Sequence, residues 1–229
     1  MSARTISKTS LLVLLGPPGS GKSTLVASIL GATPGLGHFA VRRQFVEEKR
    51  RQTDLWLAAT ESQEKGQWLP DEVVIEAFTR RLDAQLPGGM LVEGLPANAE
   101  QARLMLEVVK DRGRQVDRVL YLDAPDQVCM ARMRKRSVCV TCDGGISQAS
   151  VSEADPGRCA RCGSVLGRRR DDQDEPFAER LRLHRHHIGG ILDELCHDRA
   201  TVLDGTADRA EIAQAAFRLL SQPRPARDL

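Results

Sequence analysis

Gly16-Pro17-Pro18-Gly19-Ser20-Gly21-Lys22-Ser23-Thr24 is the stretch that decides how the rest of the chain is read. It fits G-x-x-x-x-G-K-[ST], the phosphate-binding P-loop, at every fixed position. Its flanks agree. Leu11 to Leu15 is a short apolar run that reads as a buried strand, and Thr24 to Leu30 opens a helix that Gly31 is expected to end. The chemistry explains the spacing. The glycines Gly16, Gly19 and Gly21 let backbone N–H groups turn inward around an anion with no Cβ in the way. The helix start adds the positive end of its dipole. Lys22 supplies a mobile charge for β- and γ-phosphates, Ser20 lies in the cradle, and Ser23 or Thr24 offers a hydroxyl near a magnesium ion.

Working outward, strands alternate with helices. Met90-Leu91-Val92 ends at Glu93-Gly94, Val116 to Leu122 ends at Asp123, and Thr201 to Asp204 forms a last strand. Helices are expected from Pro70 to Leu82, Ala99 to Arg112, Pro125 to Lys135, Asp174 to about Cys196, and Ala210 to Leu220. His38 to Val41 reads as a short strand or a loop end. This alternation predicts a parallel sheet covered on both faces, with ligands at the carboxyl ends of the strands. Gly16, Glu93 and Asp123 all fall at such ends. Glu93 is the first candidate to hold magnesium and Asp123 the second. Arg42 to Lys65 is polar and helical, with Phe45, Leu55 and Leu57 as sparse apolar points, which suggests a small mobile insertion rather than a core element.

Val138 to Leu166 breaks the pattern. Cys139-x2-Cys142 and Cys159-x2-Cys162 are two knuckles sixteen residues apart, the spacing of a zinc ribbon. Such a site is closed, so the metal is expected to be structural; two disulfides or four reduced thiols is the competing reading. Cys129 and Cys196 stand alone and read as small core residues. His184, His186 and His187 lack a metal-ligand pattern and read as a solvated helix face. Arg132, Arg136, Arg169 and Arg180 bracket the cysteine module. Phosphoryl transfer needs such cations because its charge spreads over equatorial oxygens. Arg134, Arg168, Arg170, Arg182 and Arg185 read as a basic surface, and Asp171 and Asp172 as partners for the arginines.

Composition excludes some classes. Aromatic residues make up only 3%, too few for the stacking platforms of a single-strand nucleic-acid binder, and the net charge of +2 does not by itself imply a nucleic-acid surface. No apolar run reaches membrane-spanning length, and the polar start lacks the pattern of a signal peptide. The expectation is a cytoplasmic chain with no membrane or nucleic-acid partner.

These residues together resemble an adenylate kinase of the zinc-lid type. The P-loop matches the family's nucleotide loop. Lys65-Gly66 and Pro70-Asp71-Glu72-Val73-Val74-Ile75 match the end of its nucleoside-monophosphate (NMP) domain. Gln101 sits where the family's acceptor-adenine glutamine sits. Arg132 and Arg136 match the arginines leading into the lid, the four cysteines match its zinc ligands, and Arg169-Arg170-Asp171-Asp172 with Arg180 is similar to its phosphate-binding segment. The resemblance implies a P-loop NTPase fold, a three-layer α/β/α core with a five-stranded parallel sheet. The core would be residues 1–37, 70–136 and 169–229, the helical NMP-binding insertion 38–69 and the zinc-ribbon lid 137–168. It implies ATP and Mg²⁺ with structural Zn²⁺, a monomer, a small phosphate acceptor, and Arg132 beside the donor base.

The departures gather at the acceptor end. The family's Asp-Gly-Phe-Pro-Arg reads Glu93-Gly94-Leu95-Pro96-Ala97 here, and its Thr-Gly-Asp-x-x-Arg reads Val41-Arg42-Arg43-Gln44-Phe45-Val46. Two expected acceptor-phosphate arginines are therefore Ala97 and Val46. Arg42 and Arg43 are the substitutes the segment offers. Transfer to a nucleoside monophosphate is the leading expectation. A kinase of a non-nucleotide metabolite and a non-catalytic ATP-binding protein are the alternatives.

Overall fold

The computed structural model describes residues 10–64, 69–84, 89–195 and 200–221. Lys65-Gly66, Cys196 and the tail from residue 222 lie outside the described residues. Five strands, β1 (Ser10–Leu15), β2 (Gly37–Ala40), β3 (Met90–Glu93), β4 (Gln115–Asp123) and β5 (Ala200–Asp204), form one parallel sheet in the order β2-β3-β1-β4-β5. The helices are α1 (Lys22–Ala32), α2 (Val41–Arg51), α3 (Asp54–Glu64), α4 (Asp71–Asp83), α5 (Ala99–Asp111), α6 (Asp126–Arg134), the single turn α7 (Val140–Asp143), α8 (Asp174–Glu194) and α9 (Arg209–Ser221). A 3-10 turn, Arg170–Asp172, precedes α8.

The sequence of β1 shows why the sheet is central. Its side chains alternate between faces with the period of a strand. Leu11, Val13 and Leu15 enter a cluster with Phe78, Met105 and Ile191 from α4, α5 and α8, whereas Leu12 and Leu14 enter a second cluster with Leu25, Ile29 and Ala216 from α1 and α9. Both faces are thus apolar, as expected for a parallel sheet covered on both sides.

Two details correct the sequence reading. Helix α1 begins at Lys22, directly on the P-loop, and continues past Gly31 to Ala32, because Gly31 meets open space and Thr33 supplies the terminal N–H to Leu30 O. The polar insertion folds as α2 and α3 and is not detached from the core. Phe45, Leu55 and Ala59 are buried in the same cluster as Phe78, and only Leu57 of the three expected apolar points faces solvent. Three well-placed apolar residues suffice because each helix needs only one narrow stripe to dock.

A buried carboxylate shapes β4. The register against β1 steps from Leu11↔Val116 to Leu12↔Arg118, leaving Asp117 as an extra residue. Its Oδ2 accepts the Leu11 N–H at 3.1 Å, which satisfies a backbone donor at the irregularity. Asp117→Ala should therefore destabilise the fold by about 1–3 kcal/mol in urea unfolding, the cost of orphaning a buried donor. Asp117→Asn, which keeps an acceptor oxygen there, should retain most of that stability; equal losses in the two variants would contradict the assignment.

Candidate functional site

The strand order places the carboxyl ends of β1 and β3 side by side, and the P-loop leaves β1 there. Gly16 has φ +149°, and a Cβ on it would strike Leu122 O of β4. Gly19 has φ +82°, and a Cβ there would lie 2.7 Å from Cys129 O of α6. Both positions need glycine for conformation and for space. The loop is thereby clamped between β4 and α6. Cys129 is fully buried in that contact, as its apolar setting in the sequence suggests.

A cleft of ≈ 970 Å³ opens at this point, lined by residues from the P-loop, the α2–α3 insertion and the arginine segments. Lys22, Ser23, Thr24, Glu93, Arg132, Arg136, Arg169 and Arg180 line it, and so do Arg42, Arg43 and Gln101. The structure therefore brings the donor-end and acceptor-end candidates into one cavity.

Each cation has a definite setting. Lys22 Nζ donates to Gly16 O at 2.7 Å and Pro17 O at 2.8 Å. Burial lowers its pKa to about 8, despite the raising influence of Glu93. Arg132 Nη1 donates to Ser20 O at 2.9 Å. Arg136 makes a two-point ion pair with fully buried Asp172, with Nε 2.7 Å from Oδ2. Arg169 donates to Gly145 O at 2.8 Å and to Ile146 O; burial first, then Arg42 and Arg136, bring its pKa down to about 10. Arg180 Nη1 lies 2.8 Å from Asp171 Oδ2, and its guanidinium lies over the Phe177 ring. The expected pairing of Asp171 and Asp172 with the arginines is present. Buried Ser20 Oγ has no hydrogen-bond partner among the described residues.

Glu93 accepts from Ser23 Oγ at 2.8 Å, and His38 Nε2 lies 3.5 Å from its other oxygen. Burial pushes this carboxyl upward, but His38, Lys22 and Ser23 together outweigh it and hold the group below its ordinary range. It is thus an anionic oxygen beside a hydroxyl oxygen, a donor set that suits magnesium. Asp123, the second candidate, is turned away from the cleft. Arg185 holds it at 2.6 Å and Tyr121 OH donates to it at 3.2 Å. Arg185 also reaches Asp126 and Ala124 O, so it is a structural anchor between α8 and the β4 end and not a member of a basic surface.

At the other end, Gln101 is engaged on both sides of its amide. Oε1 accepts Ala97 N–H at 2.8 Å and Nε2 donates to Asp71 at 2.6 Å. Phe45, Val46, Leu69, Val74 and Ala97 give this end an apolar wall. Arg42 pairs with Asp171, whereas Arg43 has no hydrogen-bond or ion-pair partner among the described residues. Sequence reasoning did not find Trp56, whose ring lies 5.2 Å from Lys49 Nζ at the cleft, or His38 beside Glu93. Trp56 and Lys49 come from different helices, so no periodicity links them. His38 precedes the end of a strand adjoining β3, which is the one signal available. His184 departs from the solvated reading: it stacks on Tyr121, its Nε2 is buried without a partner among the described residues, and burial brings its pKa down to about 4.

The four cysteines converge. Their Sγ atoms all lie within 4.8 Å of one another, with separations of 3.5, 3.7 and 3.4 Å for Cys139–Cys162, Cys142–Cys159 and Cys142–Cys162. A tetrahedron with Zn–S bonds of about 2.3 Å has edges of about 3.8 Å, whereas a disulfide needs about 2.05 Å. The sulfurs therefore fit one tetrahedral thiophilic ion. Antiparallel bridges at Val138↔Gly167 and Arg158↔Val165 close the module around them.

A family model described as adenylate kinase matches residues 14–198. The chain is 33% identical over 183 residues to the adenylate kinase of Caldicellulosiruptor saccharolyticus, covering 80% of this chain and 85% of that protein. It is 29% identical over 211 residues to the adenylate kinase of Clostridium tetani, covering 91% and 97%. No helix among the described residues is long and apolar enough to cross a membrane. A P-loop at the head of a five-stranded parallel sheet, a four-cysteine module and this match over most of the length agree: the chain belongs to the adenylate kinase family of nucleotide phosphotransferases.

Proposed function

We propose that the chain transfers the γ-phosphoryl group of Mg·ATP to the phosphate of a nucleoside monophosphate. One observation carries this reading: a single cleft is cation-rich beside the P-loop and apolar beside α2, α4 and Gln101. The amides of Gly19 to Thr24, the Ser20 hydroxyl and Lys22 hold the donor phosphates. Arg132 lies beside the donor base. Arg136, Arg169 and Arg180 face the transferring group, where developing charge is best met by preorganised donors. Ser23 and Glu93 would hold magnesium, which when bound neutralises charge between the β- and γ-phosphates. An acceptor phosphate is already ionised, so no general base is required. An acceptor hydroxyl would need one, and Glu93, held below the ordinary carboxyl range, is a weak base.

Arg43 is the acceptor-phosphate cation in this reading, because it lines the cleft and has no other partner among the described residues. It stands in for the arginines replaced by Val46 and Ala97. The insertion 38–69 and the module 137–168 act as the two parts that cover the acceptor and donor ends. The chain works in the cytoplasm as a monomer, with no membrane or nucleic-acid partner.

The test is ADP release from Mg·ATP against AMP, CMP, UMP, GMP and their deoxy forms. Turnover with at least one monophosphate is expected, and Lys22→Ala should abolish it. Arg43→Ala should raise the acceptor KM by tens- to a thousandfold, the effect of losing a charge-assisted contact worth about 2–5 kcal/mol, while the KM for ATP stays near its wild-type value. ATP binding without turnover on any monophosphate would overturn the proposal.

The cysteine module holds structural zinc in this reading. Protein purified under reducing conditions should carry about one zinc per chain, from four ligands per site. Chelation should lower the melting temperature and expose four thiols to a thiol reagent. Metal analysis that finds none would refute the assignment.

A further inference from the structure

We infer that Arg42 is a positioning residue that docks the acceptor-side helix α2 onto the base of the cysteine lid. The segment Val41 to Val46 is where the resemblance expects acceptor-phosphate binding, yet two of its side chains are turned to the lid. Arg42 forms an ion pair with Asp171, at the 3-10 turn where the chain leaves the lid. Asp171 is shared with Arg180 at 2.8 Å, so the pair joins α2, the lid base and α8 in one network. Val46 faces the lid's inner loop: a Cβ on Gly144 would lie 2.8 Å from Val46 Cγ1. That loop is in turn fixed from behind, because Arg169 donates to Gly145 O and Ile146 O. The Asp143 carboxylate also caps it by accepting the N–H groups of Gly145, Ile146 and Ser147.

The consequence is a cleft closed by direct contact between its two covers. An arginine at position 46 would have to displace Gly144, so the apolar Val46 suits this contact as an arginine would not. Arg42 at position 42 supplies the charge that crosses the gap. The clasp leaves Arg43, the next residue, facing the cleft. The inference concerns closure alone and does not depend on which acceptor is used, so failure of the acceptor assignment would leave it standing.

The pair is partly exposed, with side-chain accessibilities of 42% and 31%. Partly exposed ion pairs shift an equilibrium by about two- to fivefold and are weakened by salt. Hydrogen–deuterium exchange of the full chain, free of nucleotide, reads this directly. Arg42→Gln should speed exchange by about two- to fivefold in α2 and also in the lid loop 144–148, about a hundred residues away in sequence. Arg42→Lys should restore part of the protection. High salt should speed the same two segments in the wild-type chain and add little in Arg42→Gln. Combined with Asp171→Asn, the two effects should not add, since either change breaks the same contact. An Arg42→Gln effect confined to α2, additive double-variant behaviour, or wild-type exchange indifferent to salt in the lid loop would overturn the inference.

Discussion

Charge balance inside one cleft is the constraint on which the rest of the site depends. Lys22, Arg132, Arg136, Arg169 and Arg180 crowd into one cavity beside the P-loop. Cations cannot be packed this closely without acceptors. The fold supplies them from its own backbone and from a few carboxylates. Lys22 and Arg132 rest on P-loop carbonyls, Arg169 on lid carbonyls, and Arg136 and Arg180 on Asp172 and Asp171. The lowered pKa values of Lys22 and Arg169 express the same strain, since burial disfavours a charge that lacks a full counter-charge.

The sheet is what makes this crowding possible. Placing β1 between β3 and β4 brings the P-loop, Glu93 and the start of α6 to one edge, and the two-sided apolar packing of β1 holds that edge rigid. The remaining charges come from α2 and from the segments around the cysteine module. The polar insertion and the four-cysteine segment that supply them both stand out in the sequence from the strand–helix alternation of the core.

Much of this is legible in the sequence. The P-loop, the strand ends at Glu93 and Asp123, and the cysteine spacing are local patterns with a chemical cause, and the elements follow them closely. What was not legible depends on pairings between distant segments. Asp123 and Glu93 look equivalent in sequence, yet Arg185 from α8 claims the first and leaves the second to the cleft. His184 looks solvated because His184, His186 and His187 lack a metal-ligand pattern, yet α8 stacks it on Tyr121 and half-buries it. Arg42 and Arg43 are adjacent and chemically identical, but they lie about a quarter of a helical turn apart, so one meets Asp171 and the other has no partner among the described residues. Spacing along a helix predicts that such neighbours diverge; it does not say which partner each will meet.

The central claim is that the donor and acceptor phosphates occupy one continuous cleft, with Lys22 at one end and Arg43 at the other. Titration calorimetry with a bisubstrate analogue, two nucleosides joined by a polyphosphate bridge, tests it most directly. The account predicts one analogue per chain, affinity above that of ATP alone, and weakening by both Lys22→Ala and Arg43→Ala. An analogue that binds no tighter than ATP and ignores Arg43→Ala would contradict it.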